Sequence, residues 1–126
     1  MGTDIHGWVE HKVGGKWIAV CPLKDYERNY RRFALLAGVR DEYGESNITP
    51  KGIPEDVSET ARYNIESDWD GEGFESCHSH SYMSLEEACE IFNETAYERT
   101  EYPSLLFFNQ DPEEVEKARL VFWFDN

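Results

Sequence analysis

The chain has 126 residues, 40 % hydrophobic and 14 % aromatic, which is enough apolar mass for a single domain, residues 1–126, around a real core. Its 26 acids against 12 bases leave a formal net charge of −14, which repels a phosphate backbone and excludes general nucleic-acid binding through bulk electrostatics. Three cysteines without a CxxC pair indicate neither a disulfide framework nor a zinc ribbon, and no apolar run approaches the ~18–20 residues of a membrane span.

Residues 4–13, "DIHGWVEHKV", alternate with a period near two, which predicts a strand with Ile5 and Val9 on one face and Asp4, His6 and Trp8 on the other. Gly14-Gly15 accepts the positive φ of a primed turn, so "KWIAV" returns as the second strand of a hairpin. In "DYERNYRRFALLAG" the period changes: Tyr30, Phe33, Ala34 and Ala37 predict a helix over about 26–37, with Asp25 as cap and Gly38 at its end. After a polar loop, "EDVSETARYNIE" predicts a weaker helix with Ser58 as cap, and residues 66–80, with Gly71, Gly73 and many acids, read as a loop. Ser84 and Glu87 form a capping box ahead of the stripe Leu85, Ala88, Cys89 and Phe92, a helix to about Asn93 with Met83 as its staple. "DPEEVEKA" predicts a short helix from Pro112 to Ala118. "RLVFWFDN" is apolar on both faces through Phe124 and reads as a central strand. The sum is an α+β domain: a small, mostly antiparallel sheet holding both termini, with three or four short helices packed around it.

The chemistry-bearing residues fall in three groups. Asp4 and His6 on a strand, with His78 and His80 if their segment is extended, present four side chains that can converge as ligands of a divalent metal or serve as general acid and base. Metal presence and identity stay open at this point, and packing beside Trp8 and the following helix is the bland alternative. Arg28, Arg31, Arg32 and Arg40 are four of seven arginines and lie within 13 residues, which makes them the best place for a phosphate or carboxylate to dock in so acidic a chain. Pairing with the surplus acids is their alternative fate. Asn29, Ser79 and Ser81 add small hydrogen-bonding groups, the start of the Ser84 helix offers free N–H groups, and Trp69 between Asp68 and Asp70 can act as a lid over a base. No GxSxG or SxxK frame points to a serine nucleophile, and Cys77 beside His78 is a weak thiol candidate.

The blocks "DIH", "RNYRRFALLAGVR", "KGIPEDVS", "HSHSYMSLEE" and "VFWFDN", in this order, resemble a family of small proteins encoded by tailed bacteriophages, in which they read roughly CDIH, RNYxLFAxLAxVR, RGLPDDVS, GHSHSxLT and FWFDN. The resemblance covers most of the chain outside about residues 94–110. This chain departs from it with Thr3 in place of cysteine, Lys51 in place of arginine and Cys77 in place of glycine. The resemblance implies a cytoplasmic setting in an infected bacterium, where small accessory proteins act on host defence or nucleotide pools. Two functions fit, a phosphodiesterase-like hydrolase of a nucleotide or cyclic-nucleotide signal, or a sponge that binds such a nucleotide intact and often works as a homo-oligomer; a third, weaker reading is an acidic inhibitor that mimics DNA charge on a host protein. The first uses His78, His80, His6 and Asp4 as catalytic or metal-binding groups and Arg28, Arg31 and Arg32 as phosphate holders.

Overall fold

A computed structural model describes residues 2–42, 44, 46–70, 77–96 and 117–126, with the side chains of 68–70 outside that description. Four strands form one antiparallel sheet: β1 Asp4–Val13, β2 Lys16–Pro22, β3 Cys77–Ser84 and β4 Lys117–Asp125, in the order β2-β1-β4-β3. Three helices pack on it: α1 Tyr30–Ala37, α2 Glu59–Asp70 and α3 Leu85–Glu94. Both chain ends therefore run in the two central strands of an α+β domain. Gly14 at φ 58° and Gly15 at φ 77° make the β1–β2 turn, where a Cβ would be strained at both positions.

β4 lies between β1 and β3 and is covered on both faces, which is why its sequence is apolar without alternation. Leu120, Phe122 and Phe124 join Ile5, Val9, Phe33, Leu36, Leu85, Ala88 and Phe92 in a core beneath α1 and α3. Val121 and Trp123 point the other way, into a second cluster with Val57, Ala61 and Ile65 beneath α2. A buried ion pair ties α2 to the sheet. Arg119 donates from Nε to Glu10 (2.6 Å) and from Nη1 to Asp56 (3.0 Å), Glu10 also accepts from the Ser58 backbone N–H, and the Arg119 guanidinium lies 3.8 Å from the centroid of the Trp17 ring.

Several boundaries differ from the expectation, each for a physical reason. α1 begins at Tyr30 with Asn29 as its cap, because Asp25 is engaged in a buried ion pair with Arg32 (3.0 Å) and Arg28 sits at φ 52°, outside helical space. α2 starts after Ser58, whose Oγ accepts from the Ala61 N–H, and continues to Asp70 through residues expected to be loop. The HSHS segment is strand rather than loop: without β3, the second edge of the covered β4 would leave its backbone groups unpaired. Ser84 caps α3 as expected, with Oγ accepting from the Glu87 N–H at 3.2 Å. Most of the helix expected at 112–118 lies outside the described residues, and Lys117 and Ala118 belong to β4. No helix among the described residues is long and apolar enough to cross a membrane.

Two measurements check this packing. Phe122 is fully buried at the centre of the first core, so Phe122→Ala is expected to cost about 3–5 kcal/mol in urea unfolding. Asp56 is held below the usual carboxylate range chiefly by its hydrogen bond from Arg119. A depressed carboxyl stabilises the fold above its unfolded value near 4 and loses that contribution as pH falls through its lower folded value. Asp56→Asn is therefore expected to melt slightly below the parent at neutral pH, the gap closing in acid; a gap that persists or widens there would contradict the pairing.

Candidate functional site

The site forms where the two chain ends meet. Pairing of Asp4 with Asp125 in β1 and β4 sets Thr3 beside Asn126, and pairing of Cys77 with Asp125 sets the start of β3 on the other side. Between His78 and Ser81 the β3 register slips: His78 opposes Phe124 and Ser81 opposes Phe122, so three steps on β3 match two on β4. The extra residue turns the chain over. His78 stacks on Phe124 at 6.2 Å between ring centroids, whereas His80 stacks on Trp123 at 6.0 Å, and these β4 neighbours face opposite sides of the sheet. The expectation that His78 and His80 share a face is corrected by this bulge.

On the His78 side lies a cavity of about 390 Å³. Its polar wall is built by Thr3, Arg40, His78, Ser79 and Asn126, and its apolar wall by Ala37, Val39, Ile48 and Pro50. Among the described residues three without glycine's freedom adopt positive φ: Arg28 at 52°, Arg40 at 56° and Ser79 at 58°. Two of them line this cavity, and strain of this kind collects at functional sites.

One chain of hydrogen bonds crosses the polar wall, and its direction follows from the groups themselves. The Arg40 Nε–H can only donate, and it does so to Thr3 Oγ1 at 2.8 Å. Thr3 then gives its own hydroxyl proton to Asn126 Oδ1, 2.8 Å away. An amide oxygen only accepts, so the His78 Nε2 that lies 3.2 Å from the same Oδ1 carries a proton and donates it. In the neutral imidazole Nδ1 is then the acceptor, and the Ser79 hydroxyl, 2.8 Å from it, donates. This chain of donors favours the Nε2–H tautomer of His78 and leaves Nδ1 as the acceptor facing the Ser79 hydroxyl.

The opposite face of the sheet holds a different set. His6 bonds Asp125 and stacks on Trp123 at 6.1 Å, so Trp123 lies between the His6 and His80 rings. Asp4 takes two hydrogen bonds from Arg28, at 2.9 and 3.2 Å, and these hold its carboxyl below the usual range. The four residues expected to converge on a metal are thus divided between two faces, and no three His, Cys, Asp or Glu side chains among the described residues are grouped as a metal would need.

The arginine cluster also separates. Arg32 is buried against Asp25, Thr95 and the Phe92 carbonyl, Arg31 reaches Glu94, and Asn29 caps α1 while donating to the Thr95 carbonyl at 2.6 Å. These join α1 to the end of α3 and leave Arg40 as the arginine in the cavity wall. Ser81 is buried and accepts from the Lys51 N–H, outside the lining. The start of α3 is six residues along β3 from His78, roughly 20 Å at 3.3 Å per residue, and plays no part in the cavity. The side chain of Trp69 lies outside the described residues. Sequence reasoning missed Thr3, Asn126 and the placement of Arg40, because the register of the terminal strands, which sets residue 3 beside residue 126, is chosen by the sheet as a whole.

No family model matches the chain, and no curated protein or solved structure does so either, so function is argued from this geometry. The hydrogen-bond direction is open to test by ¹⁵N NMR of the imidazoles: His78 is expected as the Nε2–H tautomer, and Thr3→Val is expected to raise the Nδ1–H fraction by freeing the Asn126 amide to turn. A parent protein already in the Nδ1–H form would break the chain of argument.

Proposed function

We propose that the cavity is the active site of a small hydrolase that acts on a phosphorylated ligand of the nucleotide class. The observation that carries the reading is the His78 Nδ1, oriented as a hydrogen-bond acceptor in a wall that also holds the Arg40 guanidinium. A positioned imidazole can take a proton from an attacking hydroxyl and return it to the leaving oxygen, and a guanidinium stabilises charge on the phosphoryl oxygens. The apolar wall of Val39, Ile48 and Pro50 suits a base or sugar face. A cavity of about 390 Å³ is near the lower end of the range for small-molecule sites, which favours one nucleotide unit over a bulky cyclic dinucleotide. The resemblance to phage accessory proteins supplies the setting, a bacterial cytoplasm in which nucleotide signals mediate defence.

His6 and Asp4, with Asp125, are then supporting groups on the other face of the same strands rather than members of the reaction. The sponge reading needs only Arg40 and the apolar wall, and the inhibitor reading needs neither histidine nor cavity.

The purified protein incubated with mononucleotides, cyclic dinucleotides and cyclic ADP-ribose isomers, followed by mass spectrometry before and after heat denaturation, separates these readings. New products are expected, and His78→Gln should lower their rate by about 10²–10⁴-fold with binding retained. A nucleotide that leaves the free pool and returns intact on heating would replace the hydrolase with the sponge, and no change in either pool would turn attention to protein partners.

A further inference from the structure

We infer that Ser79 is the nucleophile of this site and that the reaction passes through a phosphoseryl enzyme. The inference rests on the hydrolase reading above. In an extended strand, successive side chains point to opposite faces, so a serine following a histidine cannot ordinarily reach its ring. The left-handed backbone at Ser79 removes that restriction: at φ 58° the chain doubles back and Oγ lies 2.8 Å from His78 Nδ1. Glycine adopts this backbone without strain and would suffice if only the bulge were needed. A serine there spends conformational energy to place a hydroxyl, and the hydroxyl is in the cavity wall with Arg40.

The hydrogen-bond direction makes the serine the donor and the imidazole the acceptor, which is the ground state a nucleophile and its base require. Asn126 plays the orienting part. Its Oδ1 holds the Nε2 proton, and Thr3 holds Oδ1 in turn, so the ring has no freedom to present Nε2–H to the serine instead.

In the first half-reaction Ser79 Oγ attacks the phosphorus of the ester. Its proton passes to His78 Nδ1, the Oγ–P bond forms, the P–O bond to the leaving group breaks, and Nδ1 returns the proton to the departing oxygen. In the second, water gives a proton to Nδ1 and attacks the same phosphorus, the Oγ–P bond breaks and Oγ recovers its proton. The net change is ester plus water giving alcohol plus phosphate, with no oxidant, reductant or other reactant needed.

Diisopropyl fluorophosphate reports on this serine without knowledge of the natural ligand. The 126-residue protein treated with it is expected to gain one diisopropylphosphoryl group, mapped to Ser79 by peptide mass spectrometry. The rate should fall about 10²-fold in His78→Gln and should slow with added inorganic phosphate. Ser79→Gly keeps the left-handed backbone accessible, so this variant is expected to fold, to take no label and to lose turnover of whichever nucleotide the parent cleaves. Failure of the folded parent to label at Ser79, or labelling that is unchanged in His78→Gln, overturns the inference. So does a Ser79→Gly variant that still turns over, an outcome that keeps the hydrolase with water as the attacking group. A parent that turns over nothing in the nucleotide panel removes the hydrolase reading itself, and the labelling result is read independently of it.

Discussion

Antiparallel pairing of the two ends of the chain, β1 against β4 from Asp4–Asp125 to Lys12–Lys117, is the constraint on which the rest of this structure depends. Closing a loop of more than a hundred residues costs entropy that grows only slowly with length, and burial of β4 on both faces offsets it. Leu120, Phe122 and Phe124 serve one core, Val121 and Trp123 the other, so a single strand organises α1 and α3 on one side and α2 on the other. The Glu10–Arg119 pair fastens the far end of the same two strands and carries Ser58 and Asp56, and thus the start of α2, with it.

That pairing also makes the site. Thr3 and Asn126 are separated by nearly the whole chain yet share a hydrogen bond, because one precedes β1 and the other follows β4. Pairing of Cys77 and His78 with Asp125 and Phe124 then brings His78 to the Asn126 oxygen, and the bulge that follows sets Ser79 against the ring. Polarity runs one way through this wall: a permanent donor at Arg40, a hydroxyl that both accepts and donates, an amide oxygen that only accepts, and an imidazole whose remaining lone pair accepts from Ser79. Each link removes an alternative from the next. The result is an imidazole whose orientation is supplied by a neutral amide rather than a carboxylate, in a wall that Arg40 also lines.

The charge balance of the protein and the chemistry of the cavity are separate matters. At −14 the chain as a whole repels anions, and all four clustered arginines have partners: Asp4 for Arg28, Glu94 for Arg31, Asp25 for Arg32, and Thr3 with the Tyr30 ring for Arg40. Those pairs hold the segment ahead of α1, and α1 itself, in place. Arg40, just past the Gly38 that ends the helix, is the member that faces the cavity, at a φ that an L-residue adopts only when its surroundings demand it. Cluster membership therefore said little about role; position relative to the helix end decided it.

The sequence by itself determined the elements whose signals are local. Two glycines specify the β1–β2 turn, Ser84 and Glu87 specify the start of α3, Gly38 specifies the end of α1, and the unbroken apolar run specifies that β4 is central. It also offered His78 and Ser79 as candidates, among many others, without separating them from the rest. Tertiary structure alone decided that HSHS is a strand, that a one-residue slip sends His78 and His80 to opposite faces, and that Thr3, Arg40 and Asn126 complete the wall. The reason is physical. Turns and caps are settled by groups a few residues apart, whereas register, a bulge and the partner of each imidazole depend on which strand lies alongside, and that is chosen by the energy of the whole sheet.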